Sequence, residues 1–360
     1  MNKFIPGLQL SRMYYEQVVK KIINDFFPDL QYSVGLIDYG SDVLGYDTTI
    51  SRDHEWGPRL SIFLKKQEID QYANRINKVL SENLPYEFEG YSTNFSGKVS
   101  DGLQRLEKIE EGTVNHKTRI LTVEGFFKGH LELNIHKDIE TKNWLLFPQQ
   151  KLKTIRSGDI FYDDLKIETI RSKLHFYPKD VWLYLMACEW SQIAQEEAFV
   201  GRCGDVDDEI GSRLIASRLI EKIMNLCFLM EKEYAPYSKW FGTAFKKLKS
   251  AETFLPIMEK TLDAKNWKDR EKYLSKTYQL LAEKHNDLNV TEPMNTKVTD
   301  YYGRPYQVLF AGRFAETLFE KITDPVLKEI GLLGSIDQMT HVSAILENNH
   351  NIKKMRELYG

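Results

Sequence analysis

The sequence predicts an α+β chain, with a small N-terminal domain of helices and strands followed by an all-helical C-terminal domain. Three observations carry that prediction. Helical and strand-like apolar periods alternate over roughly the first 155 residues, and from Pro178 onward the period is almost wholly helical. The balance of 42% hydrophobic to 28% charged residues suits a globular protein with a sizeable core. At 360 residues, a rule of about 150 residues per domain suggests two or three domains.

Each element follows from its own pattern. Val18, Val19, Ile22, Ile23, Phe26 and Phe27 recur at helical spacing until Pro28 ends the run. YSVGLIDYGS reads as a short strand entering a turn, and RLSIFL at 59–64 as a second strand. EIDQYANRINKVLSENL returns to the helical period, with Ile69, Tyr72, Ile76, Val79 and Leu80 on one face. KTRILTVEGFF and HLELNI read as further strands, the latter because Leu131, Leu133 and Ile135 alternate with Glu132 and Asn134. This order belongs to a small α/β domain ending near residue 155, which divides the chain into 1–155 and 156–360.

In the second part, DVWLYLMACEWSQIAQEEAFV and DEIGSRLIASRLIEKIMNLCFLMEKEY are long helices, and Trp182, Leu185, Met186, Trp190 and Ile193 read as core. Asp205, Asp207, Asp208 and Glu209 cluster where the dipole of the second helix favours negative charge. The polar stretch around 284–304 reads as a loop or subdomain junction. A last helical stretch carries Phe310, Phe314, Leu318 and Phe319.

Composition and motifs exclude several classes of function. A formal charge of −3 does not favour a dedicated polyanion binder. Cys188, Cys203 and Cys227 are odd in number and form no CxxC pair, which fits a reducing cytoplasm better than a disulfide framework. The N-terminus carries no secretory signal, and no apolar run is long enough to span a membrane. GSDVLG lacks the lysine of a P-loop, and there is no dinucleotide fingerprint. His54-Glu55 has no second histidine for a zincin helix, while His130 and Glu132 lack the cysteine pair of a zinc deaminase.

One constellation survives. Gly40-Ser41 is followed, after eleven residues, by Asp53-His54-Glu55. In an extended strand, Asp53 and Glu55 project from the same face. Two such carboxylates suit Mg²⁺, which takes one or two of them together with substrate phosphates. The Gly-Ser turn lets backbone approach a triphosphate closely. The plainer alternative is a solvated acidic turn. Asp42 and Asp47 read as turn formers, and Arg52 and Arg59 either as triphosphate contacts or as surface ion pairs.

Gly40, Ser41, Asp53 and Glu55 resemble the nucleotidyltransferase signature of the DNA polymerase β superfamily. More locally, GSDVLGYDTTISRDHEWGPRL is similar to a bacterial nucleotidyltransferase-like family of unknown function. GLQLSRMYYEQVV, YAPYSKW, YYGRPYQVLFAGRF and GSIDQM resemble other blocks of that family. The resemblance implies a mixed sheet flanked by helices, a nucleoside triphosphate bound with Mg²⁺ in a two-metal site, and a helical acceptor domain, as in aminoglycoside and lincosamide nucleotidyltransferases. By that likeness Gly40 and Ser41 would hold phosphates, while Asp53 and Glu55 would ligate metal. Glu132 would be the third acid on a later strand, and Lys239 could meet a phosphate tail. The superfamily continues its acid-x-acid strand with apolar residues. Here Trp56-Gly57-Pro58 intervenes, so an edge position or a bulge is expected.

The activity implied is transfer of a nucleoside monophosphate to a hydroxyl acceptor, in the first place a small molecule. Glu189, Glu196 and Glu197 are candidate bases for it, with Arg202 a polar neighbour. The alternatives are a nucleotide-binding regulatory module without transfer, or transfer to a protein or RNA acceptor. The net charge disfavours RNA.

Overall fold

The computed structural model describes residues 4–37, 39–52, 55–97 and 103–360. The protein is α+β, with a small mixed sheet flanked by helices and a helical C-terminal region. It divides into two compact units, one of residues 1–138 and 151–175, the other of 139–150 and 176–360. Whereas the sequence placed a boundary near 155, a strand of the first unit's sheet lies beyond it, at Asp159–Asp163.

In the first unit the sheet has four strands: β1 (Ser33–Leu36), β2 (Ser61–Leu64), β3 (Arg119–Thr122) and β4 (Asp159–Asp163). Their spatial order is β3-β2-β1-β4. β1 is antiparallel to both neighbours, and β2 and β3 are parallel, with Ser61 opposite Arg119. The edge pair β1–β4 carries a register shift between Val34 and Gly35. A Cβ on Gly35 would stand 2.5 Å from the Asp159 carbonyl oxygen, so the close approach of these strands requires glycine.

Two helices cover one face of this sheet. The first, α1, runs over 7–26 and widens into a π-helical turn at Tyr15–Val19; the second, α2, is Ile69–Asn83. Leu10, Tyr14, Val19 and Ile23 of α1, with Ile76 and Leu80 of α2, form a core with Val34, Ile62 and Leu64. Between Ile62 and Leu64, Phe63 points to the other face, where it meets Phe126 edge-on at 5.4 Å. Phe126 belongs to α3 (Val123–Leu131).

Two strand expectations are corrected at α3. KTRILTVEGFF is a strand only as far as Thr122, whose hydroxyl accepts the Gly125 N–H at 2.9 Å and starts a helix. HLELNI is not a strand. It is the C-terminus of α3, closed by Glu132 in a left-handed conformation with φ 55°. Leu131 and Leu133 are buried, Glu132 and Asn134 exposed, and this alternation around a helix cap imitates the period of a strand.

In the second unit α4 (Lys179–Glu196) is central, and every residue from Val181 to Trp190 is buried. It packs against α5 (Glu209–Met230) and α7 (Gly312–Glu320). Trp190 stacks on Phe314 at 4.6 Å and donates to Nδ1 of His285 at 3.3 Å; His285 lies on α6 (Trp267–Asp287). Trp182, Leu185, Met186, Trp190 and Ile193 are all core, as expected. Asp208 caps α5 by accepting the Gly211 N–H, and Glu209 pairs with the buried Arg270.

The polar stretch after α6 holds a hairpin that the sequence reading missed, β5 (Thr299–Tyr301) and β6 (Arg304–Val308). Its turn, Tyr302-Gly303, has positive φ at both positions, the requirement of a tight type I′ connection. Among the described residues no helix is long and apolar enough to cross a membrane.

Candidate functional site

The candidate site lies in the first unit, at the end of the sheet where the chain leaves β1 and enters β2 and β3. Beyond β1 the backbone bends at Gly40, with φ 139°, and makes one helical turn. The carbonyls of Gly40, Ser41 and Asp42 accept from the N–H groups of Leu44, Tyr46 and Gly45. Ser41 Oγ donates to the Ser51 carbonyl at 3.1 Å, which ties the turn to the far end of its own loop.

Behind this turn is a buried ion pair. Arg59 Nη2 donates to Asp42 Oδ1 at 2.6 Å and to the Tyr39 carbonyl at 2.8 Å, while Nε donates to Asp42 Oδ2 at 3.3 Å. The pair is nearly inaccessible, 6% and 1% exposed, so Arg59 is neither a surface ion pair nor an open triphosphate contact. Asp42 does form the turn, since Oδ1 also accepts the Val43 N–H. Asp47 has a longer reach. Its Oδ2 accepts from the Gly7 backbone at 2.7 Å and from Trp56 Nε1 at 2.9 Å, joining the loop to the start of α1.

Tyr39 is half exposed, and its ring has Arg59 at 6.0 Å and Arg119 at 5.9 Å. Arg119 also helps to depress the pKa of the His130 imidazole, whose fall comes mainly from burial, with Lys151 contributing too. The mouth of the sheet therefore carries cations from two neighbouring strands beside the Gly40-Ser41 turn. Arg52 is exposed, donates to the Thr49 carbonyl, and lies 5.9 Å from the rings of Trp56 and Tyr91.

Of the acidic pair, Asp53 lies outside the described residues. Glu55 is not in a strand. It sits in a bend six residues before β2, with φ 54°, and its N–H donates to the Gln104 carbonyl at 2.9 Å. The same-face argument for Asp53 and Glu55 therefore fails at Glu55, because left-handed backbone breaks the two-residue alternation.

The cause is the Trp56-Gly57-Pro58 interruption. Trp56 is buried, stacked on Phe4 and edge-on to Tyr91, and a Cβ on Gly57 would meet Leu106 at 2.6 Å. The Glu55 carboxylate pairs with Lys117 through Oε2 and accepts the Gln104 N–H through Oε1 at 3.1 Å. Its oxygens have the right chemistry for Mg²⁺, and Lys117 stands where such an ion would approach.

Glu132, expected as a third acid on a strand, is the exposed cap of α3. The residue that faces β2 from the start of β3 is Arg119, and Lys117 precedes it by two positions. Among the described residues, no group of three or more His, Cys, Asp or Glu side chains could hold a metal ion. Lys239 belongs to the second unit, on the helix Ser238–Phe245, where it is exposed with Nζ over the ring of Trp240.

The candidate bases of the helical unit are already engaged. Glu197 accepts the N–H groups of Leu309 and Ala311, Glu189 accepts from Gln338, and Glu196 pairs with Arg218. Arg202 lies over Phe199. Lys117, Arg119 and Tyr39 were missed in the sequence because Arg119 stands far along the chain from Tyr39, and Lys117 from Glu55, and each pair meets only in the folded unit.

A family model described as a domain of unknown function (DUF4037) matches residues 144–241. The match covers the end of the first unit and the opening helices of the second, and does not reach residues 40–57. No curated protein matches the chain.

Proposed function

We propose that the first unit binds a nucleoside triphosphate at the Gly40-Ser41 turn, and that the protein transfers the nucleoside monophosphate to a hydroxyl acceptor. The observation that carries this reading is the Gly40-Ser41 turn at the mouth of a mixed sheet, where the half-exposed Tyr39 ring has Arg59, itself paired with Asp42, at 6.0 Å and Arg119 at 5.9 Å. The half-exposed Tyr39 ring supplies an apolar surface beside them.

In the reaction, the acceptor oxygen forms a bond to the α-phosphorus as the bond to pyrophosphate breaks, and the acceptor proton passes to a base. Arg119 and Lys117 would hold the departing phosphates in line. Mg²⁺ would be held by Asp53 and Glu55, and would neutralise charge on the phosphate oxygens. A small-molecule acceptor is the simplest partner for a chain of near-zero net charge.

The test is a thermal-shift comparison of ATP, GTP, CTP and UTP with and without Mg²⁺, followed by assay of pyrophosphate release with small hydroxyl acceptors. Asp53→Asn should reduce release at least about a hundredfold while leaving the unfolding midpoint in place. Full release in that variant would remove the assignment. A second reading, nucleotide binding without transfer, is favoured by the Lys117–Glu55 pair. Triphosphate binding with no release for any acceptor would select it.

A further inference from the structure

Late in the chain, a short segment is fastened onto α4 by a buried amide. Gln338 lies in the helical turn Ile336–Met339, and its Oε1 accepts the Ser335 N–H at 3.0 Å. Its Nε2 donates to the Leu185 carbonyl at 3.0 Å and to Glu189 Oε1 at 2.9 Å, so both ends of the amide are used. Beside it, Tyr184 Oη accepts the Gly334 N–H at 3.0 Å, and Tyr359 donates to the Gly334 carbonyl at 3.0 Å. Ile336 is fully buried, and the Cys188 thiol reaches the Gly334 backbone. The segment begins at Gly331, whose φ is 68° and where an added Cβ would meet nothing within 4 Å. The backbone there is free to swing.

Beneath this segment Glu189 is 1% exposed, and its second oxygen, Oε2, is enclosed with no partner among the described residues. Two charges on α5 act on it in opposite senses, Lys222 lowering its pKa and Glu221 raising it; burial outweighs both and pushes it up to about 7. Cys188, its neighbour on α4, is held as a thiol by the same burial. A protonated carboxyl suits such a place, whereas one amide donor leaves a buried carboxylate short of partners. Two groups on the segment act in the same direction. Asp337 accepts the Gln149 N–H at 3.0 Å and is also pushed up by burial. His341 Nε2 stands 3.4 Å from Glu221 Oε1, an attraction that exists only while the imidazole is protonated.

We propose that the segment from Gly331 to Met339 is a pH-sensitive latch on α4, closed while Glu189 keeps its proton and opened to admit water once that proton is lost to solvent. Opening uncovers Tyr184, Leu185 and Cys188. Glu189 holds its proton more tightly in the closed form than in the open one, so the latch is strongest below about pH 4.5. It weakens as pH rises to about 7.

The test is hydrogen exchange of the full-length protein from pH 5 to 8, with each rate corrected for its intrinsic pH dependence. The Gly334, Ser335 and Thr340 amides should lose protection about tenfold or more per pH unit between about 5 and 7, and little beyond that. They should exchange faster than the buried amides of α5 at every pH. Glu189→Gln, which mimics the protonated acid, should remove about tenfold of that loss per pH unit. Adding Asp337→Asn should flatten the remainder. At pH 8, alkylation of Cys188 by iodoacetamide should be at least about tenfold slower in Glu189→Gln than in the unchanged protein. Protection that does not change with pH, or that Glu189→Gln leaves with the same dependence, overturns the proposal. So does exchange of these amides only together with those of α5, a result read on the unchanged protein without any variant.

Discussion

At the scale of single residues, the loop between β1 and β2 is organised by two aspartates that work in different ways. Asp42 neutralises Arg59 in a site closed to solvent, whereas Asp47 links the loop to α1 and to Trp56. Removing one member of a buried pair leaves an uncompensated charge, so Asp42→Ala should cost about 3–5 kcal/mol. Hydrogen exchange over residues 33–36 should speed up accordingly, and unchanged protection there would contradict the role given to the pair. Gly40 is similarly constrained, because a Cβ would lie 2.2 Å from Asp42 Oδ1 and 2.3 Å from Arg59 Nη2. Gly40→Ala therefore strains the turn in both conformation and space. It should lower stability and, on the reading proposed above, weaken triphosphate binding as well.

At the scale of elements, the switch from β3 to α3 decides where the charged residues of the site stand. Thr122 ends the strand by capping the helix, which allows Arg119 to sit at the start of β3 while His130 returns towards it at the end of α3. Thr122→Val keeps the shape of the side chain and removes the cap. The expected loss is about 1 kcal/mol, read as a lower urea midpoint and faster exchange within Val123–Leu131. The type I′ turn at Tyr302-Gly303 plays the same part in the second unit. It folds β6 back so that the chain after it can present the Leu309 and Ala311 N–H groups to Glu197.

At the scale of the whole molecule, buried acids give the helical unit a pH dependence with a definite sign. Burial pushes Glu189, Glu197 and Glu271 up to about 7. Their folded-state pKa values exceed the ordinary value of 4.5, so the folded protein binds more protons than the unfolded chain between these limits. Stability contributed by these groups is therefore greatest below about pH 4.5, and is lost as pH rises through about 7. The denaturation midpoint should fall across that window. Glu189→Gln combined with Glu271→Gln should flatten the slope; an unchanged slope would show that these acids do not control it.

Much of the architecture was legible from local pattern. The helical period of Ile69–Leu80, the apolar run of β1 and the dense apolar content of α4 specify their elements without help from distant residues, because each buries its own face. HLELNI was misread, since a helix cap flanked by two leucines has the same alternation as a strand. Of the candidate site, sequence singled out the glycine turn and Glu55, both marked by local composition. It could not show that Glu55 leaves the strand, that Arg59 is buried on Asp42, or that Lys117 occupies the carboxylate. These facts depend on which strand lies beside β2, and chain connectivity alone does not state that. Spacing and turn chemistry were enough to specify the long helices, β1 and β2, and the polar character of residues 40–57, because each of these follows from local pattern. Which charges meet there follows from the folded sheet, because ion pairs such as Glu55–Lys117 form between residues that the sheet, not the chain, makes neighbours.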